Sequence, residues 1–209
     1  MSEPAVRLDV WSDYVCPFCY LEEPVLARIK QEFGDAVQVE WRAFELRPEP
    51  VPTLDPQGDY LRDIWARAVY PMARERGMTL RLPPVQPRSR LAHEAAAFAR
   101  ANGKAAELIH AIFQAFFENG EDIGDVSVLV AHAGRLGLDE AGLRRALTEG
   151  SHREEVLADE KLAQKLGVSG VPAMAVRAAG DAVEQATMID GAQPYAVLHK
   201  LIDGIMRTR

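Results

Sequence analysis

The sequence predicts an α/β protein with a large all-helical domain inserted after the second strand. Short strand-like segments lie near both ends of the chain, at 6–11, 37–44, 173–176 and 186–189, and the first two alternate apolar and polar residues as strands do. Between them, from Asp59 to about His152, apolar residues recur at helical spacing throughout. We therefore predict one domain formed by residues 1–55 and 154–209, and an inserted helical domain formed by residues 56–153.

The N-terminal unit is predicted as strand, turn, helix and second strand. The strand Val6–Trp11 leads through a four-residue turn to Cys16 and Pro17. Proline is favoured in a first helical turn, because its missing N–H would have no partner there. Apolar residues at helical spacing continue the helix to Gly34, and the alternating segment Val37–Phe44 is the second strand.

The middle of the chain contains helices only. A stretch with four prolines, 47–56, excludes regular structure and connects the two predicted domains. The predicted helices of the insertion are 60–76, 89–101, 104–117, 126–136 and 140–149. A helix at 154–165 returns the chain to two short strands, and a helix at 195–206 ends it.

Composition excludes several classes of protein. The 209 residues are 48% hydrophobic and carry a net charge of −7 without a basic cluster, which argues against a nucleic-acid partner. No apolar run approaches the roughly 20 residues that a membrane span needs. The N-terminal residues lack the basic and apolar regions of a signal peptide, so we expect a cytoplasmic protein that does not bind membranes.

The only two cysteines are Cys16 and Cys19, three positions apart at the predicted helix start. The partial positive charge of a helix N-terminus favours thiolate over thiol, so Cys16 is the candidate nucleophile and Cys19 the resolving thiol. We expect an exposed Cys16 sulfur with Cys19 beneath it. Zinc would need four ligands, and the five histidines lie on separate elements, so we expect no metal. Two buried, inert cysteines are the remaining alternative.

The sequence resembles the DsbA-like branch of the thioredoxin superfamily, and within it the FrnE-like oxidoreductases related to 2-hydroxychromene-2-carboxylate isomerases and kappa-class glutathione transferases. The matching blocks are 12–20 (SDYVCPFCY), 89–93 (SRLAH), 116–123 (FFENGEDI), 167–172 (GVSGVP) and 191–194 (GAQP). The resemblance covers nearly the whole chain, in order.

This resemblance implies a thioredoxin fold in which Pro172 is a cis-proline facing the cysteine pair. It implies that Val171 and Pro172, together with Pro17 and Phe18, position a substrate at Cys16. Isomerase and transferase relatives carry serine at the position of Cys16, so the retained pair indicates redox chemistry. No cofactor is expected beyond the cysteines, with glutathione as a candidate co-substrate.

Two further residues are candidates for the active-site cleft. His93 lies in the family's Ser-x-x-Ala-His block and could face the cleft, or could simply pack between the domains. Asp13, like Asp9, is close enough in sequence to affect proton transfer to Cys19, although a solvated carboxylate in a turn is the simpler interpretation of Asp13.

The leading hypothesis is a thiol-disulfide oxidoreductase that acts on protein or small-molecule disulfides and is recycled by an unidentified redox partner. The alternatives are a glutathione-dependent isomerase or transferase, and a client-binding, chaperone-like module built on the helical insertion. The sequence is compatible with a monomer or a homodimer.

Overall fold

The computed structural model describes residues 3–208, and these residues have the predicted α/β architecture. The strands are β1 (Val6–Ser12), β2 (Val37–Ala43), β3 (Ala173–Ala178) and β4 (Thr187–Asp190). The helices are α1 (Pro17–Phe33), α2 (Asp59–Ile64), α3 (Tyr70–Glu75), α4 (Arg90–Ala101), α5 (Ala105–Phe117), α6 (Val126–Arg135), α7 (Glu140–Glu149), α8 (Arg153–Lys165) and α9 (Tyr195–Arg207). A π-helical turn, Trp65–Val69, joins α2 to α3 in one helical segment, as the sequence pattern predicts.

The four strands form one mixed sheet in the order β2-β1-β3-β4. Strand β2 pairs with β1 in parallel, and β3 pairs antiparallel with both β1 and β4. The parallel pair requires a crossover connection, which α1 provides. The helical segment α2–α7 enters after β2, so β1 and β3 become neighbours although 160 positions separate their nearest ends.

Helices cover both faces of the sheet. Helices α1 and α9 pack on one face, against Val6, Leu8 and Val10 of β1. The other face, which carries Trp11, packs against Ala163 of α8. Strand β1 is therefore buried at every position except Arg7, and this burial replaces the exposed polar face that its alternating sequence suggests.

Asp9 is buried in this strand and pairs with two arginines. Its side chain is 2% exposed. Arg42 Nη2 lies 2.8 Å from one carboxylate oxygen, and Arg177 Nη2 lies 3.0 Å from the other. Arg42 also bridges to Asp159 of α8 at 3.0 Å. Asp9 thus joins three strands on the α8 face, and the expectation that it affects proton transfer to Cys19 finds no contact to support it.

The helical insertion shares a hydrophobic core with α1. Tyr20 of α1 stacks on Phe113 and Phe117 of α5, with ring centroids 5.3 and 5.9 Å apart. Both cysteines and Leu21 belong to the same buried cluster as these insertion residues. The active-site helix is thus held between the sheet and the insertion.

A buried ion pair fastens the insertion to two parts of the sheet domain. Glu22 of α1 is fully buried, and its Oε2 lies 3.0 Å from Arg76 Nη1, just beyond α3. The backbone N–H of Gln193, in the loop before α9, donates to the same oxygen at 2.9 Å. Arg76 in turn donates to the Gln193 carbonyl at 2.9 Å. Burial raises the pKa of Glu22 from 4.5 to about 7, although these partners oppose the shift.

Because its pKa is raised, the contribution of Glu22 to the free energy of unfolding should fall as pH rises. The folded protein holds the Glu22 proton more tightly than the unfolded chain, so stability decreases between pH 4.5 and about 7. Glu22→Gln removes that loss. We expect the free energy of unfolding of the variant, relative to that of the wild type, to increase by up to roughly 2–3 kcal/mol from the lower to the upper end of this window. Urea unfolding at both ends of the window measures it.

The control is Glu107→Gln, which alters a carboxylate on the solvent side of α5. Lys104 lowers the pKa of Glu107, so the contribution of Glu107 to stability rises with pH, opposite to that of Glu22. Because Glu107 is exposed, solvent screens this contribution. A difference between Glu22→Gln and the wild type that stays constant with pH would contradict the assignment.

Candidate active site

Cys16 occupies the N-cap position of α1, and Pro17 is the first helical residue, as predicted. The Cys16 N–H donates to the Asp13 carbonyl at 3.0 Å, which closes the turn after β1. The Cys19 N–H donates to the Cys16 carbonyl at 3.1 Å, within the first helical turn. Both cysteines are free thiols. The turn and the helix start therefore place the two sulfurs on one face of the helix, one above the other.

The expectation of an exposed Cys16 sulfur is wrong. Cys16 is only 5% exposed, and Cys19 is not exposed at all. The segment before β3 covers Cys16: its Sγ donates a hydrogen bond to the Val171 carbonyl at 3.4 Å. Pro17 and Phe18, beside it, are half-buried. The order of accessibility, Cys16 before Cys19, is nevertheless the predicted one.

Val171 and Pro172 lie opposite the cysteine pair, and the peptide bond between them is cis. The Gly191 N–H donates to the Pro172 carbonyl at 2.8 Å, so the loop before α9 supports this segment from behind. Pro172 itself is buried, whereas Val171 is half-buried. The Val171 carbonyl is therefore the backbone group presented to the Cys16 sulfur.

Cys19 is less acidic than an ordinary cysteine for a physical reason. Burial raises the pKa of Cys19 well above the ordinary value, and the neighbouring Cys16 raises it further. The nearby Asp13 backbone and Ser12 side chain partly oppose this rise in pKa, because their polar groups favour the thiolate. Cys19 is therefore protonated in the resting pair and needs help to ionise.

Asp13 is not the solvated turn carboxylate that the sequence suggested. Its side chain is fully buried. One carboxylate oxygen accepts the Leu46 N–H at 2.6 Å, and the other accepts the Val15 N–H at 3.3 Å. The segment after β2 covers the turn, so its Leu46 N–H takes the place of water as the hydrogen-bond donor to the Asp13 carboxylate. Asp13 thus fixes the turn before Cys16 by hydrogen bonds to the turn itself and to the segment after β2.

His93 lies beside this carboxylate, at the interface between α4 and the turn. It is 5% exposed, and its Nε2 is 3.7 Å from Asp13 Oδ1. Its ring packs on Tyr14, with centroids 4.8 Å apart. The two candidate cleft residues are therefore together, beneath the cysteine turn rather than in an open cleft.

Sequence analysis missed Ser12 as a site residue. Ser12 is the last residue of β1, is 5% exposed, and is one of the neighbours that oppose the rise in the pKa of Cys19. A serine at the carboxyl end of a central strand, directly before a cysteine turn, is the signal that could have identified it. Leu46 could not have been found, because it acts through its backbone N–H and lies 33 positions from Asp13.

Within residues 3–208, no group of three or more His, Cys, Asp or Glu side chains is arranged to hold a metal ion. None of the helices in this range combines the length and the apolar character of a membrane span.

Comparison with known proteins identifies the family. The DSBA-like thioredoxin domain matches residues 7–203. The uncharacterized protein YwbO of Bacillus subtilis is 35% identical over 201 residues, which cover 94% of this chain and 96% of YwbO.

Solved structures share the fold. One from Nitrosomonas europaea, provisionally assigned as a protein disulfide isomerase, has a TM-score of 0.82 at 20% identity and covers 98% of this chain and 99% of its own. The cytosolic disulfide reductase DsbM of Pseudomonas aeruginosa, solved with GSH, has a TM-score of 0.70 at 22% identity, covering 94% and 99%. The predicted thioredoxin-type α/β fold is confirmed, and the chain belongs to the DSBA-like thioredoxin domain family.

Proposed function

We propose that this protein is a thiol-disulfide oxidoreductase in which Cys16 is the nucleophile and Cys19 the resolving thiol. One observation carries the proposal: two free thiols share the first turn of α1, and the outer one faces a backbone carbonyl presented by Val171. A substrate would meet Cys16 first, because Cys19 has no exposed surface.

The reaction proceeds by two displacements. The Cys16 thiolate attacks one sulfur of a substrate disulfide, forms a mixed disulfide and releases the first substrate thiolate, which solvent protonates. The Cys19 thiolate then attacks the Cys16 sulfur. This step forms the Cys16–Cys19 disulfide and releases the second substrate thiol. The substrate gains two electrons and the cysteine pair loses them, so a thiol reductant must restore the pair.

Substrate positioning is assigned to the surface beside Cys16. Val171 offers a carbonyl that an N–H of an extended substrate can reach once the Cys16 hydrogen bond is released. Pro17 and Phe18 offer half-buried apolar surface on the helix side. Pro172 lacks a backbone N–H, so it fixes the conformation of the segment without offering a hydrogen-bond donor to the Cys16 sulfur.

We propose that the reaction takes place in the cytoplasm and that it reduces the substrate disulfide. We also propose that the protein belongs to the FrnE-like subgroup of the family. The structural neighbour DsbM is named a cytosolic disulfide reductase and was solved with GSH. Glutathione is accordingly our proposed recycling thiol, because the cytoplasmic glutathione pool is reducing. A protein or small-molecule disulfide is the substrate.

The first test is turnover of the cysteine variants. Cys16→Ser should lower insulin reduction by dithiothreitol to the uncatalysed rate, because the attacking sulfur is gone. Cys19→Ser should slow turnover, and when it is mixed with a substrate disulfide without dithiothreitol it should trap a mixed disulfide on Cys16 that intact-protein mass spectrometry detects. Insulin reduction that persists in Cys16→Ser contradicts the proposal.

The Cys19→Ser variant also separates the two enzyme hypotheses. A glutathione-dependent isomerase or transferase would retain its activity without Cys19, whereas the oxidoreductase loses multiple turnover. Activity toward a chromene carboxylate substrate in Cys19→Ser, without a trapped disulfide, would favour the isomerase.

The second test is selective alkylation. In the folded reduced protein near neutral pH, iodoacetamide should modify Cys16 at least about tenfold faster than Cys19, because burial raises the pKa of Cys19 and covers its sulfur. Peptide mapping at successive times measures both rates. In urea the two rates should become similar, which provides the control. Equal rates in the folded protein would show that the assigned order of the thiols is wrong.

A further inference from the structure

The segment that presents the Val171 carbonyl to the active site is held at its two ends. At the first end its backbone donates to the Ala163 carbonyl of α8 at 2.9 Å. At the second end the Pro172 carbonyl accepts the Gly191 N–H at 2.8 Å. Among the described residues, no backbone–backbone hydrogen bond involves positions 169–170 between these two points. The position of the Val171 carbonyl therefore depends on the loop that carries Gly191.

That loop, the loop before α9 at positions 191–194, is folded on itself by the Gln193 side chain. Gln193 Nε2 donates to the Asp190 carbonyl at 2.8 Å and to the Gly191 carbonyl at 3.2 Å. The Gly191 N–H supports Pro172, so the contacts that fix Gln193 also fix this support.

The buried ion pair of Arg76 and Glu22 holds the backbone of Gln193 at both of its polar groups. The Gln193 N–H donates to Glu22 Oε2 at 2.9 Å, and the Gln193 carbonyl accepts from Arg76 Nη2 at 2.9 Å. Arg76 Nη1 lies 3.0 Å from the same Glu22 oxygen, so the three groups form a closed ring of contacts. One residue of the insertion and one residue of α1 thus clamp the loop before α9.

The guanidinium of this clamp is fixed by its own surroundings. Arg76 directly follows α3, and the Met78 N–H returns to the Ala73 carbonyl at 2.8 Å across Gly77, whose φ of 66° suits a glycine. Arg76 Nη1 also donates to the Leu21 carbonyl of α1. The Arg76 side chain is 12% exposed, so water competes little for these acceptors.

We infer that Arg76 and Glu22 are positioning residues: by clamping the loop before α9, they hold the Val171 carbonyl where it can accept an N–H of an extended substrate. The inference rests on the proposed function, since it concerns how a disulfide is held for attack by Cys16. Only a substrate with a backbone N–H beside its disulfide gains from this carbonyl, so the arrangement favours peptide disulfides. A small disulfide without such an N–H reacts at Cys16 without the contact.

The test uses two peptide disulfides that differ only in backbone methylation. In each, the single cysteine of an extended peptide is joined to a thiol that becomes fluorescent when the disulfide is cleaved. The first peptide has free N–H groups, whereas the second is N-methylated at the cysteine and at both neighbouring residues. Stopped-flow fluorescence gives the second-order rate constant of the reduced protein with each peptide. The ratio of the two rate constants isolates the backbone hydrogen bond.

For the wild type we expect methylation to lower the rate constant about 5- to 10-fold, the effect of one lost hydrogen bond. Arg76→Lys keeps a positive charge beside Glu22 but lacks the second arm that reaches the Gln193 carbonyl. It should lower the rate constant of the N–H peptide to that of the methylated one. The methylated peptide and the small disulfide dithiobis(nitrobenzoate), which has no N–H, should react with the variant as with the wild type.

Arg100→Lys is the matched control. Arg100 of α4 also ties the insertion to the sheet domain, because it donates to the Trp41 carbonyl at 2.7 Å and pairs with Glu40 and Glu155. These partners lie on β2 and α8, not on the loop before α9. Arg100→Lys should therefore keep the wild-type ratio.

The ratio should also depend on pH in the wild type. Burial raises the pKa of Glu22 to about 7, so the carboxylate that holds Arg76 and the Gln193 N–H becomes protonated below this pH. Among the described residues, Arg76 is the charged group paired with Glu22. The wild-type ratio should fall below about pH 7, whereas Glu22→Gln should give one low ratio at every pH. Ionisation of Cys16 affects both peptides alike and cancels in the ratio.

Gln193→Ala provides a second variant if Arg76→Lys folds poorly. It leaves the ion pair in place, removes the side-chain hydrogen bonds within the loop, and should lower the ratio by a smaller factor. A wild-type ratio in Arg76→Lys or in Gln193→Ala would overturn the inference. Equal slowing of both peptides and of dithiobis(nitrobenzoate) would also overturn it, since that result indicates a general structural effect. A wild type that cleaves neither peptide would instead refute the proposed function itself.

Discussion

The structure depends on the burial of helix α1 between the sheet and the helical insertion. One face of α1 packs on β1 through Val25 and Ile29, and the opposite face meets the insertion through Tyr20. The exposed residues of α1 all lie beyond its first turn, which is half-buried at Pro17 and Phe18 and buried at Cys19. The thiols lie in that turn, so the packing that fixes the helix also decides which sulfur a substrate can reach.

Buried carboxylates mark the junctions of this arrangement, and each is compensated differently. Asp9 is paired with two arginines within the sheet. Asp13 accepts backbone N–H groups from the turn and from the segment after β2. Glu22 has one arginine and one N–H, but its second oxygen has no hydrogen-bond partner among the described residues. Burial raises the pKa of Glu22 to about 7. A buried charge is costly where its oxygens lack donors.

The insertion does more than cover the thiols. It supplies His93 to the underside of the cysteine turn and Arg76 to the loop before α9. That loop supports Pro172, whose neighbour Val171 faces Cys16. The insertion thus contacts the surroundings of the cysteine pair in two places: the cysteine turn, through His93, and the loop behind Pro172, through Arg76. A change in how the insertion packs would reach both the turn before Cys16 and the Val171 carbonyl that faces Cys16.

The amino-acid sequence by itself determined the fold class, the inserted helices and the cysteine pair. These follow from local patterns, since hydrophobic periodicity sets helix and strand, and Pro17 favours a helix start at Cys16. The family resemblance added Pro172 as the residue opposite the thiols. Only the tertiary structure decided the burial of Asp13, its contact with Leu46, and the place of His93 beside it. Those contacts join residues 33 to 80 positions apart on different elements, and no local pattern encodes which of them will be deprived of water.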